Sequence, residues 1–127
     1  MPKSTYLSNA LLNAVLRDTP YTSPTLVYLA LYTASPGVGG GGTEVSGGGY
    51  GRQSVTFTAP TTGSVHNASD ITFPIALADW GHVVAFGVFN ANPGGNLLYF
   101  ADLSAPRDIF TNDQIHFPAN QLVCSES

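Results

Sequence analysis

Basic side chains are the scarcest material in this sequence: Lys3, Arg17, Arg52 and Arg107 are the only four Lys and Arg among 127 residues, and they are scattered. Binding a phosphate backbone gains from counterion release, which needs cations gathered on one face, so nucleic acid is not expected as a partner. Carboxylates are few too, eight in all, and charged residues make up 9% of the chain against roughly a quarter in an ordinary soluble domain. The surface must then consist largely of Ser, Thr, Asn, Gly and exposed apolar groups, which suits a protein that works inside an assembly. The single cysteine, Cys124, excludes an internal disulfide framework, and a lone thiol near the chain end is expected to be inert. No run of about 18 apolar residues exists to cross a membrane, and the first residues show no short apolar core behind a basic start. A non-secreted protein made in the cytoplasm, with no membrane partner, is expected. Its length fits a single domain, residues 1–127, large enough to bury about two-thirds of its unfolded surface without metals or disulfides.

What is present is organised around Trp80 to Leu103. Residues 82–90 are apolar on both faces, with His82, Val84, Phe86 and Val88 on one side and Val83, Ala85, Gly87 and Phe89 on the other, as in a central strand. Asn90 to Asn96 then combines Pro93 with Gly94 and Gly95, the chemistry of a tight or slightly bulged turn, and Leu97 to Leu103 returns. Phe86, Val88, Phe89, Leu98 and Phe100 are expected to be nearly fully buried. Thr25 to Thr33 is a second run apolar on both faces and predicts a second central strand.

Ser4 to Leu16 carries Leu7, Leu11, Leu12, Val15 and Leu16 at helical spacing, and predicts an amphipathic helix packed on one open end of the fold, within an N-terminal segment 1–18. Ser4 or Ser8 is suited to cap it, and Pro20 ends it. Residues 35–51 hold nine of the 14 glycines and predict a long loop. With so much backbone entropy, ordering has to come from its few substantial side chains. Glu44, Val45, Tyr50 and Arg52 are therefore the candidate protein–protein interface, expected to order against a neighbouring molecule. Arg52 to Ala59 alternates as a strand with one wet face, Ile71 to Ile75 is a short strand limited by Pro74, and Ser104 to Asp108 reads as a turn. A brief strand follows at Ile109–Phe110, and Ile115–Phe117 and Gln121–Cys124 read either as two short strands or as one strand broken around Pro118 to Asn120. The fold class is mainly β: a β-sandwich or jelly-roll-like barrel of about seven or eight antiparallel strands with one N-terminal helix.

Motifs of chemistry are weak. Gly37 to Gly42 satisfies GxGxxG, but Thr43 to Gly49 cannot form the helix whose N-terminus that motif needs. His66, His82 and His116 have no metal-ligand spacing, no GxSxG elbow surrounds any serine, and Asp70, Asp79, Asp102, Asp108 and Asp113 fall at strand ends or turns, where Asp is a turn-former. Asn67-Ala68-Ser69 is a formal glycosylation sequon, taken as chance. No catalytic residue, metal site, cofactor or small-molecule substrate is expected.

The segments LSNALLNAVLR (7–17), TLVYLALYTASPG (25–37), GTEVSGGGYGRQSVTF (42–57), NASDITFP (67–74), DWGHVVAFGVFN (79–90) and GGNLLYFADL (94–103) together resemble a family of small tailed-bacteriophage virion proteins. The family is often labelled phage tail fiber protein, and is similar to head-decoration or cement proteins in its compact β form. Departures are the extra glycines at 39–42 and the final stretch, Leu122 to Ser127. The resemblance implies a structural virion component without catalysis. Low charge and small size favour the capsid surface over the tail, as a decoration protein bridging capsid subunits. Its expected partners are the major capsid protein and itself, as a homotrimer closed by cyclic symmetry. The alternative is a tail-fibre or tail-tip module contributing to host receptor or carbohydrate binding.

Overall fold

A computed structural model describes residues 1–125, and the two apolar runs lie side by side at its centre. One helix, α1 (Thr5–Leu16), precedes nine strands: β1 (Val27–Ala34), β2 (Thr43–Glu44), β3 (Gln53–Val55), β4 (Ser64–His66), β5 (Ile71–Thr72), β6 (Gly81–Phe89), β7 (Leu97–Ile109), β8 (His116–Phe117) and β9 (Val123–Ser125). β1 and β6 pair antiparallel from Tyr28 opposite Phe89 to Tyr32 opposite Ala85. β7 flanks β6 on the outer side, and β2 and β3 both flank β1, which completes a five-stranded sheet. Glu126 and Ser127, the end of the expected domain, lie outside the described residues.

One face of this sheet carries the main core. Leu29 and Leu31 of β1 and Val83, Phe86 and Val88 of β6 pack there against Ile71, Phe73, Ile115 and Leu122. Ile71, Phe73 and Ile115 belong to or adjoin the two-stranded ribbon of β5 and β8, and Leu122 adjoins β9, which pairs with β4 in a second ribbon. The result is mainly β and sandwich-like, with no closed barrel among the described residues. The opposite face holds a smaller cluster of Ala30, Tyr32, Ala85, Phe89 and Leu97. Of the five hairpin residues expected inside, Phe86, Val88, Phe89 and Leu98 are buried and Phe100 is half-buried.

Two expectations need correction. Ser104 to Asp108 is part of a strand, since β7 continues through it to Ile109. Val83 pairs with Arg107 and Ala85 with Asp102, so Val84 alone on β6 lies opposite Leu103 to Pro106 on β7. Pro106 has no N–H to offer a ladder, and a bulge is where a strand tolerates it. This bulge also breaks the strict alternation read from sequence. Val83 joins Phe86 and Val88 in the main core, and does not share the face of Ala85 and Phe89.

The second correction concerns α1. Ser4 caps it: its Oγ accepts from the Leu7 N–H at 3.2 Å and donates to the Leu97 carbonyl. The Ser4 N–H donates to Leu98 O at 2.8 Å and the Phe100 N–H to Pro2 O at 3.1 Å, so the residues ahead of the helix extend the sheet edge at β7. Only the first turn is tied down by this. Leu7 is the single buried residue of the helix, while Leu12, Val15 and Leu16 are 56%, 76% and 73% exposed. The amphipathic stripe exists, but no described residue covers most of it.

Candidate functional site

The glycine-rich loop begins with a tight reversal out of β1. Gly42 has φ +72°, and a Cβ there would collide with the carbonyl oxygens of Ala34 and Ser35, so only glycine fits. The reversal lays Glu44 opposite Tyr32. From there the three polar side chains singled out in the loop meet one another. Arg52 binds Glu44 through both carboxylate oxygens, Nε to Oε2 and Nη2 to Oε1, each at 2.9 Å. The Tyr50 hydroxyl donates to Glu44 Oε2 at 2.7 Å and accepts the Leu31 N–H at 3.0 Å.

Arg52 also reaches across to the β6–β7 turn. Its Nη1 donates to Ala91 O at 2.9 Å and Gly94 O at 2.6 Å, and the guanidinium carbon lies 3.7 Å from the centre of the Phe89 ring. Planar geometry explains the choice of arginine, since a lysine cannot form the fork, the carbonyl contacts and the stacking together. The fourth residue, Val45, is in the core at 5% exposure. Farther along, Trp80 Nε1 donates to Gly48 O at 2.9 Å, and its ring meets Tyr50 edge-on at 5.4 Å. Within the chain, then, Glu44, Val45, Tyr50 and Arg52 are engaged with β1, the core and the hairpin turn.

The electrostatics are those of a closed clasp. Burial pushes the Glu44 carboxyl upward, but hydrogen bonds from Arg52 and Tyr50 and the guanidinium charge outweigh it, and the group lies below its ordinary 4.5. The bond to Glu44 raises Arg52. Burial, with Glu44 nearby, pushes Tyr50 far up and Tyr32 up to about 12. None of these groups is poised to exchange a proton near neutrality. A carboxyl lowered in the folded state contributes stability that is present above its unfolded value and is lost as pH falls through its folded value. Glu44→Gln is therefore expected to lose about 1–3 kcal/mol at pH 7. The gap from wild type should close as pH falls below 4.5. Urea unfolding of both proteins between pH 3 and 7 measures this, and a gap independent of pH would show that the carboxylate charge does not hold the clasp.

The remaining sequence candidates are dispersed. His82 meets Asp108 at 2.9 Å, His116 lies 3.5 Å from Asp70, and the His66 N–H bonds Thr58 Oγ1. Among the described residues no three His, Cys, Asp or Glu are grouped to hold a metal. Asp79 accepts from the Thr111 N–H, Asp113 from Phe110 and Asp70 from Ala119, as turn-formers do. Gly37 to Gly40 forms a turn that leads to β2 and not to a helix. Asn67 of the formal sequon is fully buried, donating to Ser69 O and Pro118 O and accepting from the Leu122 N–H, so its role is to join β4 and β9. Cys124 is buried and lines an apolar cavity of about 260 Å³ with Val27, Phe57, Val65 and Tyr99.

What sequence reasoning missed is the exposed face of α1. Ser8, Leu11, Leu12, Val15 and Leu16 form it, with Lys3 at its edge. Helical periodicity marks the stripe, but only the three-dimensional structure shows that the described residues leave it uncovered.

No curated protein matches the chain. The family model described as podophage GP4 fiber I protein gp80 matches residues 2–125. This agrees with the fibre label of the sequence resemblance and says nothing for its likeness to head-decoration proteins. With the match running almost end to end, the chain belongs to the podophage GP4 fiber I protein gp80 family, whose members are structural components of the phage virion.

Proposed function

We propose that this chain is a non-enzymatic structural module of the phage tail-fibre apparatus, contributing to attachment at a host receptor or surface carbohydrate, in preference to a capsid decoration protein. The observation that carries this reading is the fibre-family match over residues 2–125. Low charge and compactness, which favoured the capsid at the level of sequence, suit any crowded assembly and do not discriminate. The non-enzymatic part is supported by where the reactive groups sit. Glu44 and Arg52 neutralise each other with Tyr50 bonded to the carboxylate, and the three histidines have three different partners, so among the described residues no nucleophile, base and orienter come together.

Copy number tests it directly. Fibre modules are present in a few to a few tens of copies per particle, whereas a decoration protein coats the shell in hundreds. Quantitative mass spectrometry of purified virions, referenced to the major capsid protein, is expected to return the low figure, with antibody label at the tail. Hundreds of copies, or label over the head, would overturn the proposal in favour of capsid decoration.

A further inference from the structure

We propose that the chain carries a binding site for a short, uncharged oligosaccharide, formed by two clefts that meet at Tyr6. The inference rests on the fibre reading, whose receptor or carbohydrate it narrows to a neutral sugar held at a stated place.

Tyr6 and Asn13 lie two turns apart on one side of α1, and the chain leaving the helix folds back beside them. Its return is held by the Thr19 N–H, which donates to Asn13 O at 3.0 Å. Tyr6, Asn13, Thr19, Tyr21 and Thr22 line the resulting cleft, of about 270 Å³. Burial raises the Tyr21 phenol, and Tyr6 is near enough to add to that rise. On the other side of Tyr6 a second cleft, of about 210 Å³, opens between the glycine-rich loop and the β6–β7 turn. Thr5, Gly39 and Asn96 line it, together with buried Phe89 and Leu97. Its walls are fixed before any ligand arrives, which spares the cost of ordering them on binding. The Thr5 N–H donates to Val38 O and the Ser4 N–H to Leu98 O, each at 2.8 Å, and Arg52 holds the turn through Ala91 O and Gly94 O.

The lining selects the class of ligand. Among the described residues no Lys, Arg, Asp or Glu lines either cleft, and Arg17 reaches only the edge, where it donates to Asn13 Oδ1 at 3.3 Å. A phosphate or a metal ion would find no opposite charge. A wholly apolar ligand would strip water from hydroxyls and amides without replacing its hydrogen bonds; the 260 Å³ cavity at Cys124, lined by Val27, Phe57 and Val65, suits such a molecule better. An extended peptide adds to a strand edge, and the β7 edge is taken here by Pro2 and Ser4.

A neutral sugar meets each of these conditions. Its hydroxyls both donate and accept, as do those of Tyr6, Tyr21 and Thr22, and the amides of Asn13 and Asn96 offer N–H groups. Its C–H face is apolar and weakly positive, which suits the negative face of an aromatic ring, and Tyr6 is 42% exposed at the junction of the clefts. Tyrosine, threonine and asparagine together give contact area and hydrogen bonding at low entropic cost. With a cleft on each side of Tyr6, the site takes a chain of sugars and not a single ring.

The test titrates the full chain with glucose, galactose, mannose and rhamnose, with linear trisaccharides of each, and with an acidic trisaccharide of galacturonic acid, read by amide chemical shifts. At least one neutral trisaccharide is expected to bind in the millimolar range, several-fold tighter than its monosaccharide. Its shifts should cluster at Tyr6, Tyr21 and Asn96, and its affinity should hardly change with salt. Tyr6→Ala and Asn96→Ala, both at exposed positions, should each weaken it several-fold with unchanged melting temperatures, while Tyr6→Phe keeps most of the affinity. No binding by any neutral sugar, a trisaccharide no tighter than its monosaccharide, or wild-type affinity in Tyr6→Ala would each overturn the proposal. So would binding confined to the acidic trisaccharide and lost with salt, which would assign the surface to Arg17. The fibre reading fails separately: hundreds of copies on the head would overturn it and leave a sugar-binding chain as found, whereas a tail-located chain indifferent to every neutral sugar would overturn this inference alone.

Discussion

Arg52→Ala is expected to lower the unfolding free energy by about 3 kcal/mol, more than any other change at the loop surface. Removing one partner of a buried pair costs about 3–5 kcal/mol, because it leaves the other charge desolvated. The Arg52 side chain is 9% exposed and that of Glu44 25%, so water recovers part of the Glu44 penalty, which argues for the lower end. Loss of the guanidinium over Phe89 adds roughly 0.5–1 kcal/mol, and the carbonyls of Ala91 and Gly94 lose their donor. Arg52→Lys keeps the charge but not the fork, and is expected to recover less than half of the loss. Urea denaturation at pH 7 gives these values. A loss under about 1 kcal/mol for Arg52→Ala would mean that the clasp contributes little net stability, as exposed ion pairs do.

The same variant predicts a pattern in space. Arg52 joins the glycine-rich loop to the β6–β7 turn, two segments about forty residues apart in sequence. Amide protection should therefore fall at Glu44 to Tyr50 and at Asn90 to Asn96 together, and hold in the main core. Glu44→Gln should affect the first segment more than the second, because the two carbonyl bonds of Arg52 survive it.

Much of this arrangement can be read from the residues, and the parts that cannot fail for identifiable reasons. Leu29 to Tyr32 and Val83 to Phe89 mark central strands because an element apolar on both sides must have cover on both. Ser4 and Pro20 bound the helix by local chemistry alone. The stretch Ser104 to Asp108 misleads because Ser, Pro and Asp are turn-formers by propensity, while here Ser104 to Pro106 form a bulge inside a strand that resumes its pairing at Arg107 and Asp108 opposite Val83 and His82. Glu44, Tyr50 and Arg52 stand out in sequence as the loop's only substantial polar side chains. That they bind one another depends on the register that sets Glu44 beside Tyr32, which no local pattern encodes. The stripe on α1 is legible to the residue. Whether it is covered is a property of the remaining chain.

The core prediction with the largest effect falls on Phe73. Its side chain is fully buried and touches three other rings, stacked on Tyr50 at 6.2 Å and edge-on to Trp80 and Phe117 at 6.5 and 6.3 Å. Truncating a buried Phe to Ala costs about 3–5 kcal/mol from lost transfer energy and the cavity left behind. Aromatic pairs add about 0.5–1.5 kcal/mol each beyond burial, so Phe73→Ala belongs at the upper end, about 5 kcal/mol. That equals the whole stability of a marginal domain, and Phe73→Leu, which keeps most of the volume, should cost about 1–2 kcal/mol. Thermal and urea unfolding of the two variants test the ranking, and a Phe73→Ala loss under about 2 kcal/mol would mean that the ring is not the centre of the core. Tyr50 links this cluster to the clasp, because its ring stacks on Phe73 while its hydroxyl donates to Glu44. The core therefore aligns the loop, and Phe73→Leu combined with Arg52→Ala should depart from additivity by at least about 0.5 kcal/mol. Strict additivity would make the loop's attachment independent of the aromatic core.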